Sequence, residues 1–557
     1  MLKELRNKKV EITLPDGRKI ITNYKTRIEE ILNENIDDKV REKIIAVMVD
    51  NEVKTIDYHV LKNCKIEYIK YDSNDGYRIY SRTVKFILYM ALYRLYPELQ
   101  IEFSNNMETV SYFTCKNMKI TKEMIESIKK EMDSIIARRS PIERKVVSSE
   151  EAEVIYKIMG NEEHLESLES RLKSYSTVCC CENIYNYMHG ALATNTSCIK
   201  SYDMQRYRDG FILVMPIRDD VNKLPDKLEY NKLFEVFERF DKYNDIMQVE
   251  DVNRLNEKVI NKEIGPIIRA SETLHEKQMM ELVDIINSRG KVKMLLIAGP
   301  SSSGKTTFAQ KLGDNLQILG YNPIVISMDN YYKSREENFD KETGEYDFES
   351  ITSLEVGLFN SQMKALTEGE EVELPRYDFM LGKKVYDGHR LKLKEKDILI
   401  VEGIHALNDV MTRQVEDKYK FKIYIAPLTT LNIDSYTKVS STDTRMLRRI
   451  VRDYNIRGVK VEETLEMWDK IKKGEEKNIY PSINSSDYIY NSSLIYEIGV
   501  IKTFAEPLLL QIDRNSKYFS EARRLYEFLS NFLPIETKEI SVNSIIREFI
   551  GDGSFSR

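Results

Sequence analysis

Apolar residues follow two patterns along this chain. From residue 291 onward they gather in short continuous runs: KMLLIAG (293–299), NPIVISM (322–328), DILIVEG (397–403) and FKIYIA (421–426). Such runs predict strands buried on both faces, and the helix-length stretches between them predict βαβ units in a parallel sheet. Before residue 291 the pattern is mixed. VEITLPDGRKIIT (10–22) alternates on either side of Pro15, Asp16 and Gly17, a hairpin signal. A short helix over 27–33 and further strands up to residue 68 complete a small α+β unit. SRTVKFILYMALYRLYP (81–97) is an amphipathic helix stopping at Pro97, and TKEMIESIKKEMDSIIAR (121–138) is a second, halting before Pro141. SSEEAEVIYKIMG (148–160) predicts a third, with Ser148 or Ser149 as N-cap and Gly160 as stop. FILVMP (211–216) reads as a strand.

These patterns divide the chain into an α+β unit (1–70), a second α+β unit (71–227), a charged helical connector (228–290), an α/β unit (291–514) and a mainly helical tail (515–557). A length of 557 residues supports several cores. With 42% apolar and 31% charged residues, the composition fits a soluble folded protein. There are 84 basic and 90 acidic residues, a net charge of −6, so any nucleic-acid contact must come from a local patch. No apolar run approaches the length of a bilayer span, and no membrane association is expected. No apolar segment follows MLKELRNKK at the N-terminus, so no secretory leader is expected. Six cysteines, three of them consecutive (Cys179, Cys180, Cys181), make no disulfide framework. They predict reduced thiols and a cytoplasmic setting.

The strongest chemical signal is residues 299–306, GPSSSGKT, which satisfies G-x-x-x-x-G-K-[ST] between a predicted strand and a predicted helix. Glycines let such a loop wrap a phosphate so that amides at a helix N-terminus point at it. Gly299, Ser301, Ser302, Ser303, Gly304, Lys305, Thr306 and Thr307 are therefore the candidate nucleotide-binding residues. Lys305 would meet the β/γ-phosphates and the Thr306 hydroxyl would join Mg²⁺. The alternative is an ordinary Gly/Ser turn. Two acids follow buried strands, Asp329 after NPIVISM and Glu402 within DILIVEG. Such positions project over the carboxyl edge of a parallel sheet, where α/β ligands bind. Asp329 would orient an acceptor hydroxyl and take its proton, and Glu402 would serve Mg²⁺; otherwise each is a solvated loop carboxylate. Residues 445–460 hold Arg445, Arg448, Arg449, Arg452, Arg457 and Lys460 against a single acid, Asp453. The spacing predicts a helix with one broad basic face, able to close over a triphosphate, or else a solvated face or an RNA-binding patch.

In their order along the chain, GPSSSGKTT, SMDNYYK, EYDFE, LPRYDF, ILIVEGIHAL and TRMLRRIVRDYNIRG resemble the uridine–cytidine kinase and phosphoribulokinase family over about residues 291–512. The resemblance implies a P-loop kinase with ATP and Mg²⁺ as cofactors. It implies Asp329 as the group that activates a nucleoside 5′-hydroxyl, with Lys305, Arg449 and Arg452 beside it in catalysis. Tyr331 and Tyr332 would line the nucleoside site, Glu349 would hold ribose hydroxyls, and Tyr377 would meet the base. Thr306, Asp329 and Glu402 would serve the metal, and Arg449, Arg452 and Arg457 would form the lid. Two departures stand out. The family's base-reading histidine, five residues past the YDF tyrosine, is Gly382 here, and its R-G-R lid end is Arg457-Gly458-Val459. A base edge without its polar partner is poorly discriminated.

The front half resembles the N-terminal region of threonyl-tRNA synthetase. KVEITLPDGRKI is similar to its TGS domain, of ubiquitin-like fold. SRTVKFILYMALYRLYP and PIERKVVSSEEAEVIYKIMG are similar to its aminoacyl-editing domain. That domain's H-x-x-x-H and C-x-x-x-H ligand positions fall here on Arg82, Phe86, Met188 and Leu192, so no zinc and no deacylase chemistry are expected, although His189 and the cysteine run lie nearby. LHEKQMMELVDIINS (274–288) resembles the connector of kinases fused to this front half, with His275 expected as a solvated helix residue. Trp468 is expected to pack near the lid, and Lys472, Lys473 and Lys477 to form a solvated patch.

Together these features predict an ATP- and Mg²⁺-dependent kinase of uridine or another nucleoside, cytoplasmic and homo-oligomeric, with a small-molecule substrate and little nucleic-acid contact. The competing expectations are an RNA- or tRNA-binding P-loop NTPase switch and a kinase of another sugar alcohol.

Overall fold

The computed structural model describes residues 8–107, 109–170, 174–226, 231–340, 345–346, 348–378 and 380–555. The predicted hairpin forms where Pro15, Asp16 and Gly17 break the alternation. Strands β1 (Lys9–Thr13) and β2 (Lys19–Asn23) pair antiparallel with Ile12 opposite Ile20, and Gly17 takes a φ of +83°. With β3 (Ile44–Val49), β4 (Glu52–Lys54) and β5 (Cys64–Lys70) they make a sheet in the order β2-β1-β5-β3-β4, in which β1 and β5 run parallel. Helix α1 (Ile28–Asn35) closes one face through Ile28, Ile31 and Leu32.

Helix α2 (Asn74–Leu95) begins earlier than its apolar periodicity suggests, because Ser73 caps it by accepting the Gly76 amide at 3.1 Å. Its buried stripe packs with α3 (Lys122–Ala137) and a four-stranded antiparallel sheet that includes Gly210–Val214. Thr121 caps α3, and α4 (Ser149–Met159) carries a full capping box between Ser148 and Glu151, ending at Gly160 with a φ of +70°. Of the positions matched to metal ligands, Phe86, Met188 and Leu192 are core side chains. Among the described residues no cluster of three His, Cys, Asp or Glu side chains is placed to hold a metal ion. The six cysteines are all unpaired thiols.

The connector forms α5 (Asn231–Met247), α6 (Val252–Ile260) and α7 (Ile264–Arg289), the last stopped by Gly290 at a φ of +63°. His275 on α7 corrects the expectation of a solvated residue. It is buried against Tyr490, its Nε2 lies 2.9 Å from the Ser493 carbonyl, and burial pushes its pKa down to about 3. Helix α7 is covered by the last strand of the following sheet, which sequence spacing does not reveal.

The four apolar runs become β6 (Met294–Ala298), β7 (Asn322–Ser327), β8 (Asp397–Glu402) and β9 (Lys420–Ala426), joined by β10 (Tyr488–Asn491) in the wholly parallel order β7-β8-β6-β9-β10. Both faces are covered. Leu295 and Ile297 meet α7 and α8 (Lys305–Ile318), while Met294 and Leu296 meet α5 and α9 (Val356–Glu368). This is a parallel α/β sheet flanked by helices on both faces. It continues through α10 (Ser441–Arg457), α11 (Val461–Asn478), α12 (Glu497–Leu509) and α13 (Phe519–Leu529). Between β9 and α10 a hairpin of Asn432–Asp434 and Thr437–Lys438 wedges into the front half. Its Tyr436 packs edge-on to Tyr89 with ring centroids 5.6 Å apart. Among the described residues no helix is long and apolar enough to cross a membrane.

Candidate active site

Residues 299–304 turn between β6 and α8, and their glycines are sterically required. A Cβ on Gly299 would lie 2.0 Å from the Ile425 carbonyl oxygen, and Gly304 has a φ of +91°. Ser302 and Ser303 bury hydroxyls that bond no group among the described residues. Buried polar atoms of this kind normally have partners, and phosphate oxygens at a helix N-terminus would supply them. The Ser301 hydroxyl accepts from Arg449 NH1 at 2.7 Å. Lys305 Nζ donates to the carbonyls of Gly299 (2.9 Å) and Pro300 (3.1 Å). Burial lowers the Lys305 pKa, while the charges of Glu402, Glu548, Glu475 and Asp329 hold it up. Thr306 is exposed on the first turn, and the Thr307 amide donates to Glu548 Oε2 at 3.1 Å.

The parallel register aligns Ser327 and Ile297 with Glu402, so three strand ends share one level. Asp329 follows two residues beyond Ser327, at the lip of the crevice. Crowding by protein raises its pKa, and Lys305 and Arg457 pull it back. Burial raises Glu402, the Asp329 charge adds to that, and Lys305 and a hydrogen bond from Ser327 oppose it. Two carboxylates under upward pressure beside an exposed Thr306 hydroxyl are a hard-oxygen donor set, so these residues fit a nucleotide-bound Mg²⁺.

Beyond Asp329, Tyr331 is a core residue whose hydroxyl donates to Gln362 Oε1 at 2.8 Å. Tyr332 lies half-buried, with its hydroxyl donating to the Phe348 carbonyl at 3.0 Å and its ring 5.9 Å from Tyr377. Tyr377 is buried in the same wall, its amide donating to Asn330 Oδ1 at 3.2 Å. Glu349 is fixed through its carbonyl, which takes the Asn478 side-chain amide at 2.9 Å. Asp347 of EYDFE and Phe379 of LPRYDF lie outside the described residues. Gly382 has a φ of +64°, and the Arg335 side chain lies against it: a Cβ there would come 3.2 Å from Arg335 Nε.

The basic helix splits its arginines, correcting the single broad face. Arg445 and Arg448 turn inward. Arg445 pairs with buried Glu475 and stacks over Trp468 at 5.4 Å. Arg448 Nε donates to Glu497 at 2.8 Å. Both also hold the loop, through the Ser301 carbonyl at 2.9 Å and the Ser302 carbonyl at 3.3 Å. Arg449, Arg452 and Arg457 gather instead on the buried carboxylate of Asp453, at 3.1, 2.8 and 3.5 Å. Arg449 and Arg457 carry this group toward Glu349 and Asp329, respectively. Sequence reasoning missed Asp453, although its spacing of four from Arg449 and from Arg457 was a usable signal. Glu475, Glu497 and Glu548 carried none. The solvated lysine patch also needs correction, because Lys472 is largely buried, with Nζ donating to Asn74 Oδ1 at 3.0 Å.

A model of the phosphoribulokinase / uridine kinase family matches residues 294–495. A uridine kinase of Macrococcus caseolyticus is 31% identical over 178 residues, covering 32% of this chain and 77% of that protein. A uridine kinase of Borrelia duttonii is 29% identical over 234 residues, covering 41% of this chain and all of that protein. A uridine kinase of Schizosaccharomyces pombe is 31% identical over 190 residues, covering 34% of this chain and 37% of that protein. With its P-loop, its two strand-end acids and its parallel sheet lying within the matched region, the chain belongs to the phosphoribulokinase / uridine kinase family.

Proposed function

We propose that the protein transfers the γ-phosphoryl group of ATP to the 5′-hydroxyl of uridine or a closely related nucleoside, giving the nucleoside monophosphate and ADP. The observation that carries this reading is the shared crevice of Lys305, Asp329 and Glu402 at the carboxyl edge of the sheet, where the charges of Lys305 and Asp329 act on Glu402 and both carboxylates act on Lys305.

In this reading the amides of residues 302–307 and the Lys305 ammonium hold the ATP phosphates. Thr306, Glu402 and Asp329 would hold Mg²⁺, which would supply positive charge to the phosphates. Asp329 aligns the 5′-hydroxyl. As the new O–P bond forms and the bond to the β-phosphate oxygen breaks, the hydroxyl proton passes to Asp329. Arg449 and Arg452 stabilise charge on the transferring group, while Tyr332, Glu349, Tyr377 and Arg457 bound the nucleoside. The front half is read as TGS-like and editing-like modules. The mixed sheet closed by α1 supports the first, and the Arg82, Phe86, Met188 and Leu192 set argues against zinc chemistry in the second.

A second acceptor class, another sugar alcohol, follows from Gly382, which leaves the expected base-reading position without a side chain. The deciding experiment is a panel of nucleosides and sugar alcohols with ATP and GTP, analysed for phosphorylated products. Nucleoside-dependent ADP release with a 5′-monophosphate product is expected. ATP hydrolysis stimulated by RNA and indifferent to nucleoside would overturn the proposal.

A further inference from the structure

Away from the crevice, a cavity of about 1020 Å³ opens between the front half and the first turn of α10. That is the upper end of the range for small-molecule sites. Asp329, Glu402, Tyr332 and Glu349 take no part in its lining, although Pro300 and Arg445 do.

Its walls are strongly cationic. Arg78, Arg82, Arg144 and Arg218 come from the front half, Lys472 and Arg524 from the kinase side. Some of these are neutralised. Arg78 pairs with Asp75 (3.2 Å) and Glu521 (2.9 Å), Arg524 with Asp443 and Glu521 (2.7 and 2.8 Å), and Lys472 with Asp469 (3.4 Å). The acids that line the cavity are mostly committed too: Asp443 to Arg524, Glu506 to Lys502 and Glu527 to Arg523. Glu476 is the remaining lining carboxylate. No carboxylate pairs with Arg82, Arg144 or Arg218 among the described residues. Arg82 NH1 donates only to the Ala191 carbonyl (2.6 Å), and Arg218 NH1 to Asn74 Oδ1 (2.9 Å).

The Arg82 guanidinium is seated rather than free. It lies on Gly190, whose φ is +109°, and a Cβ there would come 2.5 Å from NH1, so only glycine leaves it room. Burial and the charges of Arg78, Arg524 and Arg144 push its pKa down to about 10, against the opposing charge of Asp75. Burial, Arg78 and Arg218 likewise push Lys472 down. A half-buried, hydrogen-bonded arginine set among other arginines, with no carboxylate paired to it, is a seat for an anion. The lining also includes the rings of Tyr77 and Tyr175, with Arg218 stacked over Tyr77 at 5.7 Å. The Tyr175 ring is a flat surface against which a planar base can pack.

We propose that this cavity is a second ligand site, distinct from the crevice of Lys305, Asp329 and Glu402, which takes a small phosphate-bearing molecule of nucleotide size with its phosphates on Arg82, Arg144 and Arg218. The proposal goes beyond the kinase reading and stands without it.

The test uses the full chain carrying Lys305→Ala, which disables the P-loop, titrated calorimetrically at low salt with inorganic tripolyphosphate. One saturable site is expected to remain, weakened about tenfold by Arg82→Gln or by Arg144→Gln. Arg144 is exposed, so its variant keeps the test valid if the Arg82 variant misfolds. Absence of binding in the Lys305→Ala chain, or residual binding indifferent to both arginine substitutions, would overturn the site. A single-stranded RNA oligonucleotide that outcompetes tripolyphosphate would overturn the assignment to a small molecule.

Discussion

The Glu548 carboxylate accepts the Thr307 amide at 3.1 Å, on the first turn of the helix that the P-loop opens. Two neighbours of Glu548 reinforce this contact. Ile545 packs onto Gly304, where a Cβ would lie 2.6 Å from Ile545 Cδ1, and Phe549 lies under the Arg448 guanidinium at 4.8 Å. A protein carboxylate thus holds a position at a helix N-terminus that suits a nucleotide phosphate.

Glu548→Gln is therefore expected to ease ATP binding. A carboxylate at a helix N-terminus is stabilised by about 0.3–2 kcal/mol, so removing its charge should lower the KM for ATP by roughly 2- to 30-fold without lowering kcat. Steady-state kinetics at saturating acceptor would measure it. An unchanged KM would mean that Glu548 and ATP do not compete.

Asp329→Asn tests the proposed acceptor base. The amide keeps the shape and loses the proton acceptor, so kcat should fall by about 10²–10⁴-fold while the affinity for ATP, measured by direct titration, moves little. Lys305→Ala should lose both turnover and ATP affinity. Wild-type turnover by Asp329→Asn would remove the base from the proposed mechanism.

The contrast between Asp329 and Glu548 shows what the sequence could disclose. The strand-end positions of Asp329 and Glu402 were legible because a parallel sheet sends the residue after each buried run to the same edge, and the glycine pattern at 299–304 marks where that edge would meet a phosphate. Hairpin, caps and four of the five central strands were legible for the same reason, being local. Strand β10 was not, because YIYN is short and flanked by polar residues. The partners of the basic helix were also hidden. Glu475 and Glu497 reach Arg445 and Arg448 across sequence separations of 30 and 49, which no periodicity encodes. The cationic cavity was hidden too: its arginines are scattered from Arg78 to Arg524 and converge only through tertiary packing.

Those buried pairs make a sharp prediction about stability as opposed to activity. Glu497→Ala strands the fully buried Arg448 charge and should destabilise the protein by about 3–5 kcal/mol, seen as a lower urea midpoint. Arg449→Ala, which leaves both deep pairs intact, should hold the midpoint within about 1 kcal/mol and lower kcat instead. If Arg449→Ala lost as much stability as Glu497→Ala, the division of the helix into structural and site-facing arginines would be wrong.

His275 gives the acid side of the stability profile. Burial holds its folded-state pKa near 3, well below the unfolded value of about 6.5. Above pH 6.5 the ring is neutral in both states and its contribution is complete. As pH falls below 6.5 the unfolded chain takes up a proton that the folded chain refuses, so stability declines down to about pH 3. At pH 5 the gap amounts to 1.5 pH units, or about 2 kcal/mol. His275→Gln keeps a donor for the Ser493 carbonyl and removes the titration. The variant should lose less stability than the wild-type chain between pH 7.5 and pH 5, by about that amount, in parallel urea titrations. Equal losses would mean that His275 protonates inside the folded protein, and that its cover by Tyr490 opens at acid pH.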